Sequence, residues 1–159
     1  RLPRYTHIMP ATAQQQLEAF LEKYEPEIAA LGRKALAHMR KRLPGAVCLV
    51  YDNYNALAVG FGPIDKVSAM PLSIALYPRW LTLFFMMGGA LDDPKKLMTG
   101  KGPKIRSIRL DDGMATLKHP DVDALISAAV LHAGWRLAPK AKGELIMKSI
   151  SPKQRPRRP

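Results

Sequence analysis

Residues 46–62 read "AVCLVYDNYNALAVGFG" and carry the clearest structural pattern in the chain. Two apolar runs, rich in β-branched and aromatic residues, flank a short polar segment at residues 53–55. Such runs on either side of a polar break predict a β-hairpin. This hairpin is the first element of the predicted fold.

Four more strands are predicted after this hairpin. The stretch "LSIALYPRWLTLFF", residues 72–85, indicates a second hairpin, with Pro78 presetting the backbone of the turn. "KIRSIRL" at residues 104–110 predicts a fifth strand, and "ELIMKSIS" at residues 144–151 predicts a late one. Strands in adjacent hairpins favour a mostly antiparallel sheet of about five to six strands.

Helical patterns lie on both sides of the strands. Apolar residues recur at helical spacing from Leu17 to Met39, with Thr12 as an N-cap and a break at Glu25-Pro26, which predicts two consecutive helices. A further helix begins near Pro120. The order predicts an α+β fold, with two N-terminal helices and one C-terminal helix packed on one face of the sheet.

A chain of 159 residues has the usual size of one domain. We assign residues 13–151 to a single α+β domain and residues 1–12 to an N-terminal extension. The final segment "PKQRPRRP", residues 152–159, is proline-rich and charged, so we expect a disordered basic tail. The chain begins with Arg rather than Met, which suggests that an upstream segment is missing.

Cys48 is the one cysteine, so an intramolecular disulfide is excluded. It lies in a predicted buried strand, where a core role is more usual than a nucleophilic one. The longest apolar stretch, residues 80–87, is far shorter than the ~20 residues that span a bilayer. We therefore expect a cytoplasmic protein without a membrane partner.

The net charge of +12 is unevenly distributed. Eight Lys/Arg residues and one acid, Glu144, give the last 24 residues a net charge of +7. Such a terminus attracts phosphate-rich partners, including nucleic acids. The alternative is a solvated terminus that only aids solubility.

The stretch "GGALDDPKKLMTGKGPKIRSIRL", residues 88–110, suggests an anion site. Glycines on both sides of a lysine allow tight turns, and exposed backbone N–H groups beside cationic side chains can hold a phosphate or carboxylate. The predicted anion-binding residues are Gly100, Lys101, Gly102, Lys104 and Arg106. The spacing is not that of a Walker loop. The alternative is an ordinary connection between elements, where glycine turns are common.

Glu18, Glu22 and Glu25 fall on one face of the first helix, and three carboxylates can gather a hard cation. A solvated helix face is the alternative. No histidine pair or Cys/His cluster has a metal-binding spacing. We therefore predict no cofactor, with iron on the three glutamates as the alternative.

Aromatic residues in or beside the strands offer another route to function. Some of them, on one exposed face with Arg79 and Arg106, would stack bases above a basic surface, although strand aromatics usually belong to the core. The aromatic residues are Tyr51, Tyr54, Phe61, Tyr77 and Trp80. Asp52 is the one candidate acid or base in the sheet, and an enzyme would need a closed pocket lined by Asp52, Tyr51 and Trp80.

The chain resembles the YdhG-like domain family of bacteria over residues 14–158. The resemblance lies in the order of three segments, which are "LYPRWLTLFF", the stretch at 88–110 and the helix "DVDALISAAVLHA". The matching features are the glycine after the predicted fourth strand, Leu91, Asp93-Pro94, the Gly-x-Gly around Lys101, and Arg106. The resemblance implies a frataxin-like α+β fold. Some relatives are described as frataxin-like iron chaperones, which implies an acidic surface that only the three glutamates supply here.

Three hypotheses follow from the sequence. The first is a non-enzymatic binding module for an anionic partner, either a phosphorylated ligand or a nucleic acid, held by the lysine loop and the tail. The second is an iron-binding chaperone. The third is an enzyme with an unrecognised site.

Overall fold

The computed structural model describes residues 10–159. Most of the expected N-terminal extension, and His7 with it, lies outside the described residues. The helices are α1 (Ala13–Leu21), α2 (Pro26–Arg42), α3 (Met114–Leu117) and α4 (Pro120–His132). The strands are β1 (Val47–Asp52), β2 (Leu57–Gly62), β3 (Leu72–Leu76), β4 (Leu81–Phe85), β5 (Arg106–Arg109) and β6 (Glu144–Ile150).

The six strands form one sheet in the order β5-β4-β3-β2-β1-β6. The first five strands pair antiparallel with their sequence neighbours, as adjacent hairpins predict. The chain then passes through α3 and α4 to the other edge, where β6 pairs parallel with β1. The predicted α+β class, with helices packed on a mostly antiparallel sheet, is confirmed.

The helix ends follow local chemistry. Thr12 accepts a hydrogen bond from the Gln15 backbone N–H at 3.1 Å, and the Gln15 side chain accepts from the Thr12 N–H at 2.9 Å. This reciprocal pair is a capping box, which satisfies two donors that the first turn leaves free. Pro26 opens α2, where its missing N–H removes no intrahelical bond. The predicted break at Glu25-Pro26 is therefore confirmed.

One face of the sheet packs against the helices to form the main core. Alternate residues of the three central strands are fully buried there, and burial of each such side chain contributes roughly 1.5–3 kcal/mol. They are Leu57, Val59 and Phe61 on β2, Leu72, Ile74 and Leu76 on β3, and Leu81, Leu83 and Phe85 on β4. The side chains between them point to the other face.

The face without helices is only partly covered. Met70, in the connection between β2 and β3, packs over Gly60 and Gly62 and joins a second, smaller cluster with Val47 and Leu49. A side chain at Gly62 would overlap Met70, so close packing requires glycine at this position. We call the remainder of this face, over β2 to β5, the open face.

The C-terminal segment differs from the expectation of a disordered tail. The Arg157 side chain is only 4% exposed, and the Arg155 backbone N–H donates to the Tyr54 carbonyl at 2.9 Å. Composition suggested disorder because the segment has few apolar residues to bury. Its order comes instead from a buried carboxylate, Asp52, which holds Arg157.

None of the helices described between residues 10 and 159 is both long and apolar enough to cross a bilayer.

The main-core side of β5 carries Ile108, which pairs with Leu83. Its other side carries Ser107 and Arg109, because successive side chains of a strand point to opposite faces. The short helix α3 was not predicted.

Candidate functional site

The predicted anion loop is held in a tight conformation by its glycines. Gly100 and Gly102 have φ values of 141° and 89°, in the region that side-chain-bearing residues rarely adopt. Thr99 and Ser107 exchange two backbone hydrogen bonds, of 2.8 and 2.9 Å, at the base of the loop. The chain between them therefore forms a closed turn rather than a flexible connection.

A second contact fixes this loop to the end of β4. The Gly89 N–H donates to the Lys104 carbonyl at 2.8 Å. Gly89 also lies so close to the Pro103 carbonyl that any side chain at this position would overlap it. The glycines after β4 are thus explained by close backbone approach to the loop.

The basic side chains of the loop separate into two groups. Lys101 and Lys104 are exposed, and none of the ion pairs among residues 10–159 involves either of them. Arg106 is half-buried, packs against Gly88, and donates to the Ile105 carbonyl at 2.9 Å. The loop therefore presents two cations, while Arg106 supports its backbone.

Asp93 stabilises the segment before the loop. Its carboxylate accepts hydrogen bonds from the backbone N–H groups of Leu97, at 3.0 Å, and Met98, at 2.8 Å. Asp93 therefore caps the residues that follow it, and these residues form a turn and not a helix.

The basic tail does not join the loop. Strand pairing places Asp52 and Leu57 at one end of the sheet, and Phe85 and Arg106 at the opposite end. Because β5 and β6 are also opposite edges, the loop and the start of the tail occupy diagonally opposite corners. The two basic segments therefore do not form one patch.

Acidic and main-chain groups also engage much of the tail. Arg157 pairs with Asp52 at 2.9 Å, and Arg158 lies 3.6 Å from Glu25. Arg158 also donates to the carbonyls of Lys23 and Glu22. These arginines serve the fold, and an anionic partner would have to displace them from their present contacts.

The three glutamates do not lie on one helix: Glu18 is in α1, Glu22 follows its last residue, and Glu25 precedes α2. The Arg33 guanidinium donates to Glu18 at 2.6 Å, whereas Glu25 faces Arg158. No group of three or more potential ligands from His, Cys, Asp and Glu is found within residues 10–159. Glu18, Glu22 and Glu25 are therefore not assembled as a metal centre in this structure.

Asp52 lies in a buried network rather than in a catalytic pocket. Its carboxylate accepts hydrogen bonds from the Lys23 ammonium group at 3.0 Å and from the Arg157 guanidinium group at 2.9 Å. Burial alone would raise the pKa of Asp52, but hydrogen bonds involving Gln154, Lys23 and Arg157 outweigh that effect and hold the pKa below its usual value. A carboxylate with two cationic partners is suited to structural support.

The three residues that an enzyme hypothesis required do not share a pocket. Tyr51 and Asp52 are consecutive in β1, so their side chains point to opposite faces of the sheet. Trp80 contacts Tyr77 and Arg109 instead. The residues therefore give no support to a site with Asp52 as acid or base.

A shallow groove of about 560 Å³ crosses the open face. Its floor is made of small side chains, Ala58, Ser73 and Ala75, which strand pairing places next to one another. Its walls are larger residues from the strand ends and turns: Tyr54, Tyr77, Phe84, Met86 and Ile105. The lining runs from the β1–β2 turn to the residue after Lys104, and so links the two basic corners.

Arginines stack on aromatic rings along the border of this groove. The Arg109 guanidinium lies 4.2 Å from the centroid of Trp80, and Trp80 stacks on Tyr77 with centroids 5.5 Å apart. Arg155 lies 5.8 Å from the centroid of Tyr54. Such contacts position cationic groups beside aromatic surface.

The structure sorts the aromatic residues that the sequence singled out. Tyr54, Tyr77 and Trp80 belong to the open face, whereas Phe61 is buried in the main core and Tyr51 packs in the second cluster. Arg109, rather than the expected Arg106, shares the face with them. The alternation of β5 contained this signal, because Arg109 and Ser107 fall on one face.

His119, His38 and Cys48 lie in structural surroundings, and the Nε2 atom of His38 is buried without a hydrogen-bond partner among residues 10–159. His119 caps α4, because its Nδ1 atom accepts a hydrogen bond from the Asp121 backbone N–H at 3.1 Å. Burial, aided by nearby Lys118, lowers the pKa of His38. Burial also raises the pKa of the Cys48 thiol to about 11, which disfavours the reactive thiolate.

Comparisons with protein-family models, curated proteins and solved structures found no match to this chain.

Proposed function

We propose that this chain is a non-enzymatic binding module for an anionic, phosphate-bearing partner, and that Lys101 and Lys104 are its principal contacts. The supporting observation is the pair of exposed lysines, without ion-pair partners in residues 10–159, on a loop that two glycines and three backbone hydrogen bonds hold in place. A rigid loop loses little conformational entropy when it binds a ligand.

The geometry modifies the hypothesis that the sequence suggested. Arg106 supports the loop backbone, so we assign the phosphate contacts to the two lysines and to nearby backbone N–H groups. The tail contributes through Lys153 and Arg155, which are exposed, because Arg157 and Arg158 are occupied. Within residues 10–159, no contact specifically favours the iron-chaperone or enzyme alternatives.

The YdhG-like family membership and the cytoplasmic location stay predictions. The confirmed α+β class is compatible with the first. The buried, single cysteine is compatible with the second.

Isothermal titration calorimetry with inorganic polyphosphate tests the proposal. The double variant Lys101→Gln/Lys104→Gln removes both loop cations, and we expect the affinity to fall about 5- to 30-fold, since exposed charge contacts contribute up to about 1 kcal/mol each. The control is Lys34→Gln/Lys41→Gln, which removes the same charge from exposed positions on α2. Equal losses in both variants would show that net charge alone, and not the loop, attracts the anion.

A further inference from the structure

We infer that the open face of the sheet is a base-stacking groove, and that the anionic partner is a single-stranded nucleic acid. This inference rests on the proposed function of the loop, which would bind the backbone phosphates. The groove adds a contact that phosphate alone cannot use, namely the flat faces of unpaired bases.

The floor of the groove has the shape that a planar ring requires. Ala58 pairs with Ala75, and Ser73 lies two residues before Ala75 on the same face of β3, so small side chains form this part of the face. Met70 covers Gly60, the pairing partner of Ser73, and so closes the groove on that side. The volume of about 560 Å³ falls within the range of ordinary ligand sites, roughly 300–1,000 Å³. A ring laid here would rest on Ala58 and Ser73, which are half-buried, whereas Ala75 is only 4% exposed.

The walls supply aromatic and apolar surface that is left open to solvent. Tyr54 is 50% exposed at one end of the groove and Ile105 is 48% exposed at the other. Tyr77 and Phe84 lie between them, half-buried. Stacking of a base on an aromatic side chain contributes about 1–3 kcal/mol, whatever the base.

The charge distribution complements a nucleic acid rather than a protein or a lipid surface. The residues that line the groove are uncharged. Cations occupy its borders, with Lys104 next to Ile105 and Arg155 against Tyr54. Arg109 lies against Trp80 and also pairs with Asp111 at 3.0 Å, on the exposed surface. Single-strand binding proteins combine aromatic side chains that stack on bases with cationic groups that follow the phosphate backbone. The open face offers both kinds of group, with the cations at its borders.

A single strand fits this surface better than a duplex. In a duplex the base faces are stacked on one another, and only the base edges are accessible in the grooves. The groove crosses from the β1–β2 turn to the start of β5 and so spans four strands. A four-stranded aromatic platform has room for about two or three unstacked bases.

Fluorescence anisotropy with labelled oligo(dT) and oligo(U) tests this inference. Tyr54→Ala should weaken binding of both at least about fivefold, because one stacking contact is lost. Tyr54→Phe keeps the ring and should bind within about twofold of wild type. Ser73→Leu adds bulk to the floor and should also weaken binding, without removing any aromatic contact.

Two controls isolate the groove. Leu131→Ala removes a side chain that is 81% exposed on α4, and it should leave oligonucleotide binding unchanged. The affinity for polyphosphate should be unchanged in Tyr54→Ala and Ser73→Leu, since polyphosphate has no bases to stack. A matched duplex should bind more weakly than either single strand.

The results distinguish the groove from the loop. If Tyr54→Ala and Ser73→Leu bind oligonucleotide like wild type while Lys101→Gln/Lys104→Gln does not, the groove is wrong and the loop stands. If the groove variants also lose polyphosphate, base stacking is again wrong. If neither polyphosphate nor oligonucleotide binds wild type at low salt, both proposals fail.

Discussion

At Asp52, a single carboxylate connects α1, β1 and the C-terminal tail. It lies at the end of β1 and is fully buried, and its two cationic partners come from opposite ends of the chain. Tyr24 completes this region by donating to the Leu76 carbonyl at 2.8 Å and accepting from the Leu57 N–H at 3.0 Å. Removing one partner of a buried pair leaves an uncompensated charge, which is costly.

Arg157→Ala should lower the free energy of unfolding by about 1–3 kcal/mol, because Asp52 loses its buried hydrogen-bond partner while Lys23 remains at 3.0 Å. Denaturant unfolding measures this effect. Arg155→Ala is the matched control from the same tail, since Arg155 is exposed and makes a cation–π contact worth about 0.5–1 kcal/mol. A loss below about 1 kcal/mol in Arg157→Ala would mean that the tail is not anchored as described.

The sequence could not reveal this anchoring. Residues 152–159 have the composition of a disordered segment, and one buried arginine does not alter that average. The pairing also joins residues 105 positions apart, so no local pattern points to it. A polar residue at a strand end was the single available signal, and Asp52 was singled out for that reason as an acid or base.

At the level of elements, local patterns were sufficient for most of the fold. Alternating apolar residues predicted both hairpins, and the Thr12 cap and Pro26 marked the helix boundaries. The parallel pairing of β6 with β1 was not predicted, since it depends on how α4 crosses the sheet. In the loop, the sequence identified glycines that need unusual backbone angles, but it could not show that Arg106 turns inward.

Two glycine substitutions separate the causes of loop geometry. Gly102→Ala should cost about 1 kcal/mol of folding stability, because a methyl group at this position meets no neighbour and only the positive φ is unfavourable. Gly89→Ala should cost clearly more, because its methyl group would overlap the Pro103 carbonyl. Thermal or urea unfolding of both variants measures the difference. Equal costs would show that the loop does not pack closely against the end of β4.

Across the whole molecule, charge is distributed differently on the two sides of the sheet. On the helical side, ion pairs such as Arg33–Glu18, Arg42–Asp123 and Lys95–Asp121 neutralise basic residues locally. The open side combines an uncharged groove with basic groups at its borders. The net charge of +12 predicted an anionic partner in general, and only the folded molecule shows where aromatic and basic groups meet.

The central claim is that a single strand lies along the open face, between the lysine loop and the β1–β2 turn. An NMR titration of isotope-labelled protein with a short oligo(dT) tests it most directly, through the chemical-shift changes of backbone amides. We expect the largest changes at Tyr54, Ala58, Ser73, Lys101 and Lys104, and small changes along the exposed faces of α2 and α4. Changes centred on those helices, or spread evenly over the basic surface, would contradict it.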